Sequence, residues 1–340
     1  MKIGLIDVDG HNFPNLALMK ISAYHKSIGD TVQWYDLFGG SFDLVYKAKV
    51  FTFTPDYSYF IDASKVINGG TGYDYSVKVP FENIQPDYSL YPKFTEAYGF
   101  LTRGCIRKCK WCLVPEKEGM TTPYMDIDEV AQDKKEVVLM DNNILSCKSG
   151  NYAIEQLKKI ATKNIKIDFN QGLDARIITP EIAELLTKIK WIRYIRLSCD
   201  TLEMLKIIKN TLKTLNDVGI KNYRIFVYVL LYDLIDNYTI LTELKNLGVC
   251  PFSQPFRDFT PKQIIPQWQL DMAQWTNKRS NFMSCDFKEY KPRKNFCCKE
   301  YFNLNGFEKA KERGQKYFKI MGLTDKLSSE VRTKPILLLT

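Results

Sequence analysis

Histidine is almost absent from this chain. Only two of its 340 residues are histidines, His11 and His25, and both lie in the first tenth of the sequence. Long hydrophobic runs are also missing: no stretch of roughly eighteen uncharged apolar residues occurs, so no transmembrane helix is predicted. The longest apolar run, 225–232, has the length of a strand. The first residues do not resemble a secretory signal, and we expect a cytoplasmic protein without a membrane partner.

The charge balance is positive. The chain carries 48 Lys and Arg against 39 Asp and Glu, a net charge of +9. This excess is compatible with an anionic substrate, including nucleic acid, but a Lys- and Asn-rich composition across the whole chain is the stronger explanation. The hydrophobic content of 45% is ordinary for a globular protein with a real core.

Three of the nine cysteines form the most informative motif. Cys105, Cys109 and Cys112 have the spacing C-x3-C-x2-C, and Trp111 stands directly before the last of them. Three thiolates on one short loop can hold a cubane iron–sulfur cluster through three of its irons, which leaves the fourth iron open. Four cations flank the thiols and are expected to favour the thiolate form: Arg103, Arg107, Lys108 and Lys110.

Structural zinc is the competing interpretation of this motif. A closed zinc site needs four ligands, and no further Cys or His lies nearby in the sequence. A fourth ligand from a distant cysteine leaves this alternative open. A disulfide framework is disfavoured, because the number of cysteines is odd and most of them are scattered.

The motif resembles the signature of the radical S-adenosylmethionine (radical SAM) superfamily. The resemblance implies a [4Fe-4S] cluster on Cys105, Cys109 and Cys112, with the amino and carboxylate groups of S-adenosylmethionine (SAM) on the fourth iron. In that family, reduction by a flavodoxin- or ferredoxin-type electron donor cleaves SAM to methionine and a 5′-deoxyadenosyl radical, which abstracts hydrogen from the substrate. The cofactor supplies the difficult chemistry, and the protein orients it.

From about residue 95 the sequence alternates strand and helix patterns. Alternation of this kind predicts a parallel sheet covered by helices, and the resemblance implies a partial (β/α)6 TIM-like barrel, the radical SAM core, over 94–262. The cysteine loop follows the first strand, where such folds place their active sites. Strands are predicted at 97–101, 136–140, 165–169, 194–198, 223–231 and 249–252, and helices at 127–133, 151–162, 180–189, 201–218 and 237–247.

Residues 1–93 predict a small Rossmann-like α/β domain, with a helix at 15–27 and strands at 2–7, 31–35, 50–53 and 65–68. This arrangement resembles the cobalamin-binding domain that precedes the radical module in many radical SAM enzymes. That domain usually carries a D-x-H-x-x-G motif, which this chain lacks. His11 has the wrong spacing, and His25 lies in the middle of the predicted helix, where a structural role is expected. We predict a degenerate domain of this type that does not bind cobalamin.

The resemblance implies SAM contacts at the strand ends. Asp141, Asn142 and Asn143 follow the second strand, where the family holds the SAM amino group with a Gly-Gly-Glu-like segment, and Asp141 would supply the carboxylate. Gln171 and Arg176 follow the third strand, and Arg176 would pair with a carboxylate of SAM or of the substrate.

Further contacts are expected from later strands. Ser198 and Asp200 would bind the ribose hydroxyls, Tyr232 would give adenine an apolar shelf, and the backbone at Pro251 would meet the adenine edge. Trp111 would lie against the adenine or shield the cluster from water.

Structural roles compete with several of these assignments. Arg176 would instead pair with Asp174 or Asp141, Asp200 would cap the following helix, and Trp111 would pack in the core.

The last segment, 263–340, is predicted to be a mainly helical extension. Trp268 and Trp275 are seven residues apart, which places both indoles on one helix face in the core. Cys285, Cys297 and Cys298 raise the question of an auxiliary cluster, although adjacent cysteines rarely serve one cluster together.

The sequence therefore predicts a radical SAM enzyme whose substrate and reaction outcome stay open. Methyl transfer, rearrangement and oxidation all begin with similar steps, and nucleic acid or a nucleotide is one candidate substrate. No residue stands out as a catalytic acid or base. The alternative is an iron–sulfur module that binds nucleic acid or senses redox state without radical catalysis.

Overall fold

A computed structural model describes residues 1–79, 81, 84–257 and 263–303. The amino-terminal part is a four-stranded parallel sheet with strand order β2-β1-β3-β4. Its elements are β1 (Lys2–Asp7), α1 (Leu16–Ser27), β2 (Thr31–Trp34), β3 (Leu44–Ala48) and β4 (Val66–Gly69).

Helix α1 begins where the sequence offers a cap. The Asn15 side chain accepts a hydrogen bond from the backbone N–H of Leu18, at 3.3 Å, and so satisfies one of the free donors of the first turn. His25 lies on the buried face of α1, where its two ring nitrogens lie 2.6 Å from Asp30 Oδ2 and 3.1 Å from the Tyr46 hydroxyl. The structural role predicted for His25 is therefore confirmed.

The strand predicted over 50–53 is wrong. The third strand of this sheet is β3, and the chain then turns, leaving the rings of Phe51 and Phe53 about half exposed and stacked at 5.2 Å. The carboxylate of Asp9 accepts hydrogen bonds from the backbone N–H groups of Val50 and Phe51. Because those donors are bonded to a side chain, they are not available for a strand ladder.

The second part of the chain contains two parallel sheets with strand orders β5-β8-β9-β10 and β11-β12-β13. A hydrogen bond of 2.8 Å from Leu173 N to Arg196 O joins β11 to the turn after β9. The strands are β5 (Ala97–Gly99), β6 (Thr102–Arg103), β7 (Thr122–Pro123), β8 (Glu136–Leu139), β9 (Lys166–Phe169), β10 (Lys190–Trp191), β11 (Ile195–Ser198), β12 (Ile225–Leu231) and β13 (Cys250–Pro255).

The longer helices that alternate with the strands of this part each bury one apolar face. In α6 the buried face is built by Leu205, Ile208, Leu212 and Leu215, and burial of each such side chain contributes roughly 1.5–3 kcal/mol. The helices are α2 (Val114–Lys117), α3 (Ile127–Ala131), α4 (Asn151–Thr162), α5 (Pro180–Lys188), α6 (Leu202–Asp217), α7 (Leu234–Asn246), α8 (Gln267–Asn277) and α9 (Arg279–Ser284).

The mixed α/β architecture with parallel strands is thus confirmed, with differences at element ends. Helix α7 begins three residues earlier than predicted, because Asp233 caps it by accepting from the N–H groups of Ile235 and Asp236. Trp268 and Trp275 on α8 are both buried, as expected. The predicted boundary at 262 and the extension beyond 303 lie outside the described residues. Among the described helices, none is long and apolar enough to cross a membrane.

The amino-terminal part contacts the segment that follows the cysteines. Lys117 Nζ donates to Thr71 Oγ1 at 2.9 Å, and the Tyr75 hydroxyl donates to Glu116 Oε1 at 2.7 Å. These contacts bring the glycine-rich turn after β4 against α2, at the cysteine end of the second part.

Candidate iron–sulfur and SAM site

The cysteines lie on a loop whose base is closed by backbone geometry. Strand β6 enters the loop and β7 leaves it, paired antiparallel, and Cys105 N donates to Gly119 O at 3.0 Å. Gly104 has φ +84°, and a Cβ there would lie 2.4 Å from Met120 O, so only glycine fits this close approach. The loop between these fixed points therefore has a defined entry and exit.

Glu118 stabilises the base of the loop through hydrogen bonds from three residues. Its carboxylate accepts from Arg103 Nη2 at 2.8 Å and from the backbone N–H of Gly104 at 3.0 Å. Asn142 Nδ2 donates to the same carboxylate at 2.9 Å. The end of β8 is thereby tied to the loop base through a residue that the sequence analysis did not select.

Asp141 supports the strand that leads into the loop. It is 3% exposed and accepts hydrogen bonds from Leu101 N, Thr102 N and Thr102 Oγ1 at 2.5–3.1 Å. Burial raises the pKa of Asp141 to about 6, although these hydrogen bonds favour the anion. The carboxylate therefore lies behind the loop, and its hydrogen bonds position the backbone before the cysteines.

Asp174 joins three strand ends at one carboxylate. It accepts from Arg107 Nε at 2.8 Å, Arg176 Nε at 2.7 Å and Asn143 Nδ2 at 3.0 Å. Burial opposes its ionisation, but the hydrogen bonds from Arg176 and Arg107 lower the pKa of Asp174 overall. Arg176 thus makes the pairing with Asp174 that was one of its two expected roles.

The flanking cations do not produce the predicted thiolate environment. Burial is the largest cause of the raised pKa of Cys109 and of Cys112, and neighbouring thiols raise it further. Arg103 and Arg107 are paired with carboxylates, and the cation that lowers the pKa of Cys109 is Arg176, from another strand end. The sequence neighbours of a thiol therefore did not predict its charge environment.

Asn143 lies directly beside the first cysteine. Its Nδ2 is 3.6 Å from Cys105 Sγ, and the backbone N–H of Arg107 donates to the same sulfur at 3.3 Å. Asn143 is 3% exposed, and its Oδ1 is buried without a hydrogen-bond partner among the described residues. A buried acceptor without a donor is costly unless a ligand supplies one.

The aromatic side chains predicted for this site contact each other. The rings of Trp111 and Tyr232 stack with centroids 5.5 Å apart and planes at 25°. Asn237 holds the turn that carries Tyr232: its Oδ1 accepts from Tyr232 N and Asp233 N, and its Nδ2 donates to Leu230 O. Asn237 is fully buried, and its place on a helix gave no sequence signal for this role.

The other predicted residues differ in their surroundings. Ser198 ends β11 and Gln171 follows β9, and neither side chain hydrogen bonds to a described residue. Asp200 accepts from Leu230 N at 2.9 Å instead of capping α6, which Thr201 caps, and burial raises its pKa. Pro251 is not brought to this end, because β13 runs on to Pro255 and Pro251 stands at its start.

The three cysteines offer the donor set that an iron–sulfur cluster uses. In the described part of the chain, no three His, Cys, Asp or Glu side chains are arranged to hold one metal ion. A cubane takes each thiolate on a different iron, so its ligands stand further apart than those of a single ion. Cys105, Cys109 and Cys112 are free and at least partly accessible, and N–H donors point at the first sulfur. The loop residues therefore fit a cluster bound through three cysteines.

Two of the candidate auxiliary cysteines contact backbone carbonyl groups, and the third is buried. Cys297 Sγ donates to Lys288 O at 3.0 Å, whereas Cys298 is fully buried and its pKa is raised by burial. Cys285 Sγ is 3.6 Å from Asn281 O.

Comparisons with known proteins add little. No family model matches the chain, and no curated protein matches it. One solved structure is similar over 83% of this chain: OxsB, described as a cobalamin-dependent S-adenosylmethionine radical enzyme with aqua-cobalamin and S-adenosylmethionine bound. The sequence identity is 12%, the TM-score is 0.48, and the chain covers 56% of the length of that structure. A likeness of this size assigns neither a family nor an activity.

Proposed function

We propose that this chain is a radical SAM enzyme. The observation that carries the proposal is the C-x3-C-x2-C loop, with its fixed base, at the carboxyl end of the first strand of a parallel sheet. We further propose that the two parallel sheets act as one partial barrel over 94–262, so that the later strand ends face the same loop.

Cys105, Cys109 and Cys112 would hold a [4Fe-4S] cluster. When bound, the cluster supplies an open iron for SAM and the electron that cleaves it to methionine and a 5′-deoxyadenosyl radical. The N–H groups that point at Cys105 Sγ stabilise a sulfur ligand, as donors around ligands commonly do.

The remaining residues would bind and orient SAM. Asn143 Oδ1, which is buried without a hydrogen-bond partner among the described residues, would accept from the SAM ammonium. The stacked rings of Trp111 and Tyr232 offer an apolar wall for the adenine. Ser198 and Asp200 provide acceptors for ribose hydroxyls at the adjoining strand end.

Asp141 and Arg176 would act differently from the direct contacts that the family resemblance implies. Asp141 positions the strand before the loop, and Arg176 shares the Asp174 carboxylate with Arg107. We propose that both hold the loop in place, while Asn142 keeps Glu118 oriented at its base.

The test is anaerobic cluster reconstitution followed by addition of SAM and dithionite, with 5′-deoxyadenosine measured by chromatography. We expect about four irons per chain and formation of 5′-deoxyadenosine. Cys109→Ala is expected to abolish both. Cys250→Ala is the control, because Cys250 begins β13 at the other end of the sheet and should change neither.

A protein with a complete cluster that binds SAM but forms no 5′-deoxyadenosine, even with candidate substrates, would contradict the enzyme assignment. That result would favour the alternative, an iron–sulfur module that binds nucleic acid or senses redox state. Retained turnover in the Cys109→Ala variant would contradict the ligand assignment itself.

A further inference from the structure

A cavity lies at the opposite end of the sheet from the cysteine loop. Its volume is about 420 Å³, within the range of small-ligand sites, and it lies between the starts of β11, β12 and β13 and helix α9. Phe226 lines it near the start of β12, whereas Tyr232 follows the end of the same strand. Six residues of strand separate them by roughly 20 Å.

One wall of this cavity is an aromatic platform. The rings of Tyr194 and Phe226 stack with centroids 5.6 Å apart and planes at 29°, and Phe226 and Phe252 stack at 5.7 Å and 26°. The three rings stand on neighbouring strands, and each side chain is only partly buried. A row of partly exposed rings gives a planar ligand a surface on which to stack.

The lining of the cavity also includes cationic side chains. Arg193, Lys245 and Arg279 line the cavity, and within the described residues none of the three forms an ion pair with a carboxylate. Lys245 donates to a backbone carbonyl, and Arg279 donates to the sulfur of Cys250. Among the residues that the structure describes, no acidic side chain lines the cavity. Arg193 lies over the Tyr194 ring at 5.1 Å and Lys245 over the Trp275 ring at 5.9 Å. Three cations without a carboxylate partner among the described residues attract an anion.

The cavity is closed off from the cysteine end by a hydrogen-bonded network. Arg196 pairs with Asp168 through two contacts of 2.6 Å and donates to the Tyr228 hydroxyl at 2.9 Å. Tyr228 in turn donates to Asn170 O at 2.9 Å. These groups lie across the face of the sheet between its two ends, so a ligand in this cavity is separate from the SAM site.

We propose that this cavity binds a phosphorylated nucleoside, with its base on the Tyr194–Phe226–Phe252 platform and its phosphate between Arg193, Lys245 and Arg279. The ligand is a free nucleotide or one nucleotide of a single strand, since both present a base and a phosphate. The proposal does not depend on radical chemistry at the cysteine loop.

The test measures binding to the full chain at low salt, with AMP, adenosine, and a 5′-phosphorylated ten-nucleotide RNA strand as probes. We expect AMP or the strand to bind, and adenosine to bind at least about tenfold more weakly than AMP, because hydrogen bonds to charged groups are the strong ones. Tighter binding of AMP identifies a free nucleotide, and tighter binding of the strand identifies a nucleic acid.

Variants test the assignment residue by residue. The double variant Arg193→Gln/Arg279→Gln is expected to weaken binding by roughly tenfold or more, and with the strand each lost cation lowers the salt slope by about 1. Tyr194→Ala is expected to cost roughly tenfold through lost stacking. Lys213→Gln, on the exposed face of α6, is the matched control and should bind like the unchanged protein. Circular dichroism verifies that each variant is folded.

The proposal is overturned if neither AMP nor the strand binds at low salt, or if adenosine binds as well as AMP. Wild-type binding by the folded double variant, or an equal loss in the Lys213→Gln control, overturns it as well.

Discussion

Replacement of Asp141 by asparagine should make the protein more stable at neutral pH. Asp141 is buried, and its pKa is about 6, against an ordinary value of 3.8. Below pH 3.8 the carboxyl is protonated in both the folded and the unfolded chain. As the pH rises from 4 to 6 the unfolded carboxyl loses its proton first, so the free energy of unfolding falls through this window and stays low above it.

The magnitude follows from that difference in pKa. A difference of about two pKa units means that the ionised carboxyl lowers the unfolding free energy by about 3 kcal/mol at pH 7. Asparagine is neutral and nearly the same shape. Its oxygen can replace Oδ1, which accepts most of the hydrogen bonds, while Oδ2 receives only a second contact from Leu101 N. The amide Nδ2 that replaces Oδ2 is itself a donor and would face the N–H of Leu101, which costs some stability at every pH. We expect the unfolding free energy of Asp141→Asn, relative to wild type, to rise by up to about 3 kcal/mol between pH 4 and pH 7.5.

The assay is urea unfolding followed by tryptophan fluorescence at several pH values between 4 and 8. The informative quantity is the difference in unfolding free energy between variant and wild type, which should grow between pH 4 and pH 6. Asp217→Asn, at an exposed position on α6, is the control and should show no such growth. A difference that is constant with pH would refute the reasoning, because the Asp141 carboxyl would then ionise alike in both states.

Other substitutions test the loop and its supports. Gly104→Ala should prevent cluster reconstitution, because its Cβ would lie 2.4 Å from a carbonyl oxygen. Gly219→Ala is the control, since φ is also positive there but the space around a Cβ is open. This control should lose only about 1 kcal/mol of stability and keep its iron content. Asp174→Ala should lower the iron retained after gel filtration, since Arg107 and Asn143 lose their common acceptor; iron content equal to wild type would contradict this. Asn237→Ala should reduce the unfolding free energy, measured by urea unfolding, by roughly 2–3 kcal/mol, because it leaves buried backbone groups unpaired. A loss under about 0.5 kcal/mol would show that water replaces the amide.

The elements that sequence patterns predicted well are those whose signal is local. Helix α6 has a regular apolar face and a threonine cap, and its bounds differ from the prediction by one residue at each end. The segment 50–53 failed because its apolar residues look like a strand, whereas Asp9, some forty positions away, takes their backbone donors. Strand β13 was cut short for a related reason, since its pairing with β12 carries it on to Pro255.

The candidate site shows the same division. The cysteine loop was placed correctly after the first strand, because both the motif and the strand are continuous in sequence. Glu118 and Asn237 were not selected, and Asp174 was expected only as a partner of Arg176, because each also acts through partners that folding brings together from other segments. The sequence around a single carboxylate or amide does not reveal which distant donors it will contact after folding.

The closed base of the cysteine loop bears on how the protein responds to oxygen. Oxygen destroys exposed iron–sulfur clusters, and a loop shaped only by its metal would collapse with each loss. Here the frame rests on Gly104, on the bond from Cys105 N to Gly119 O and on the Glu118 carboxylate, none of which needs iron. We therefore expect that the proposed cluster, once damaged, can be rebuilt many times in the same folded chain.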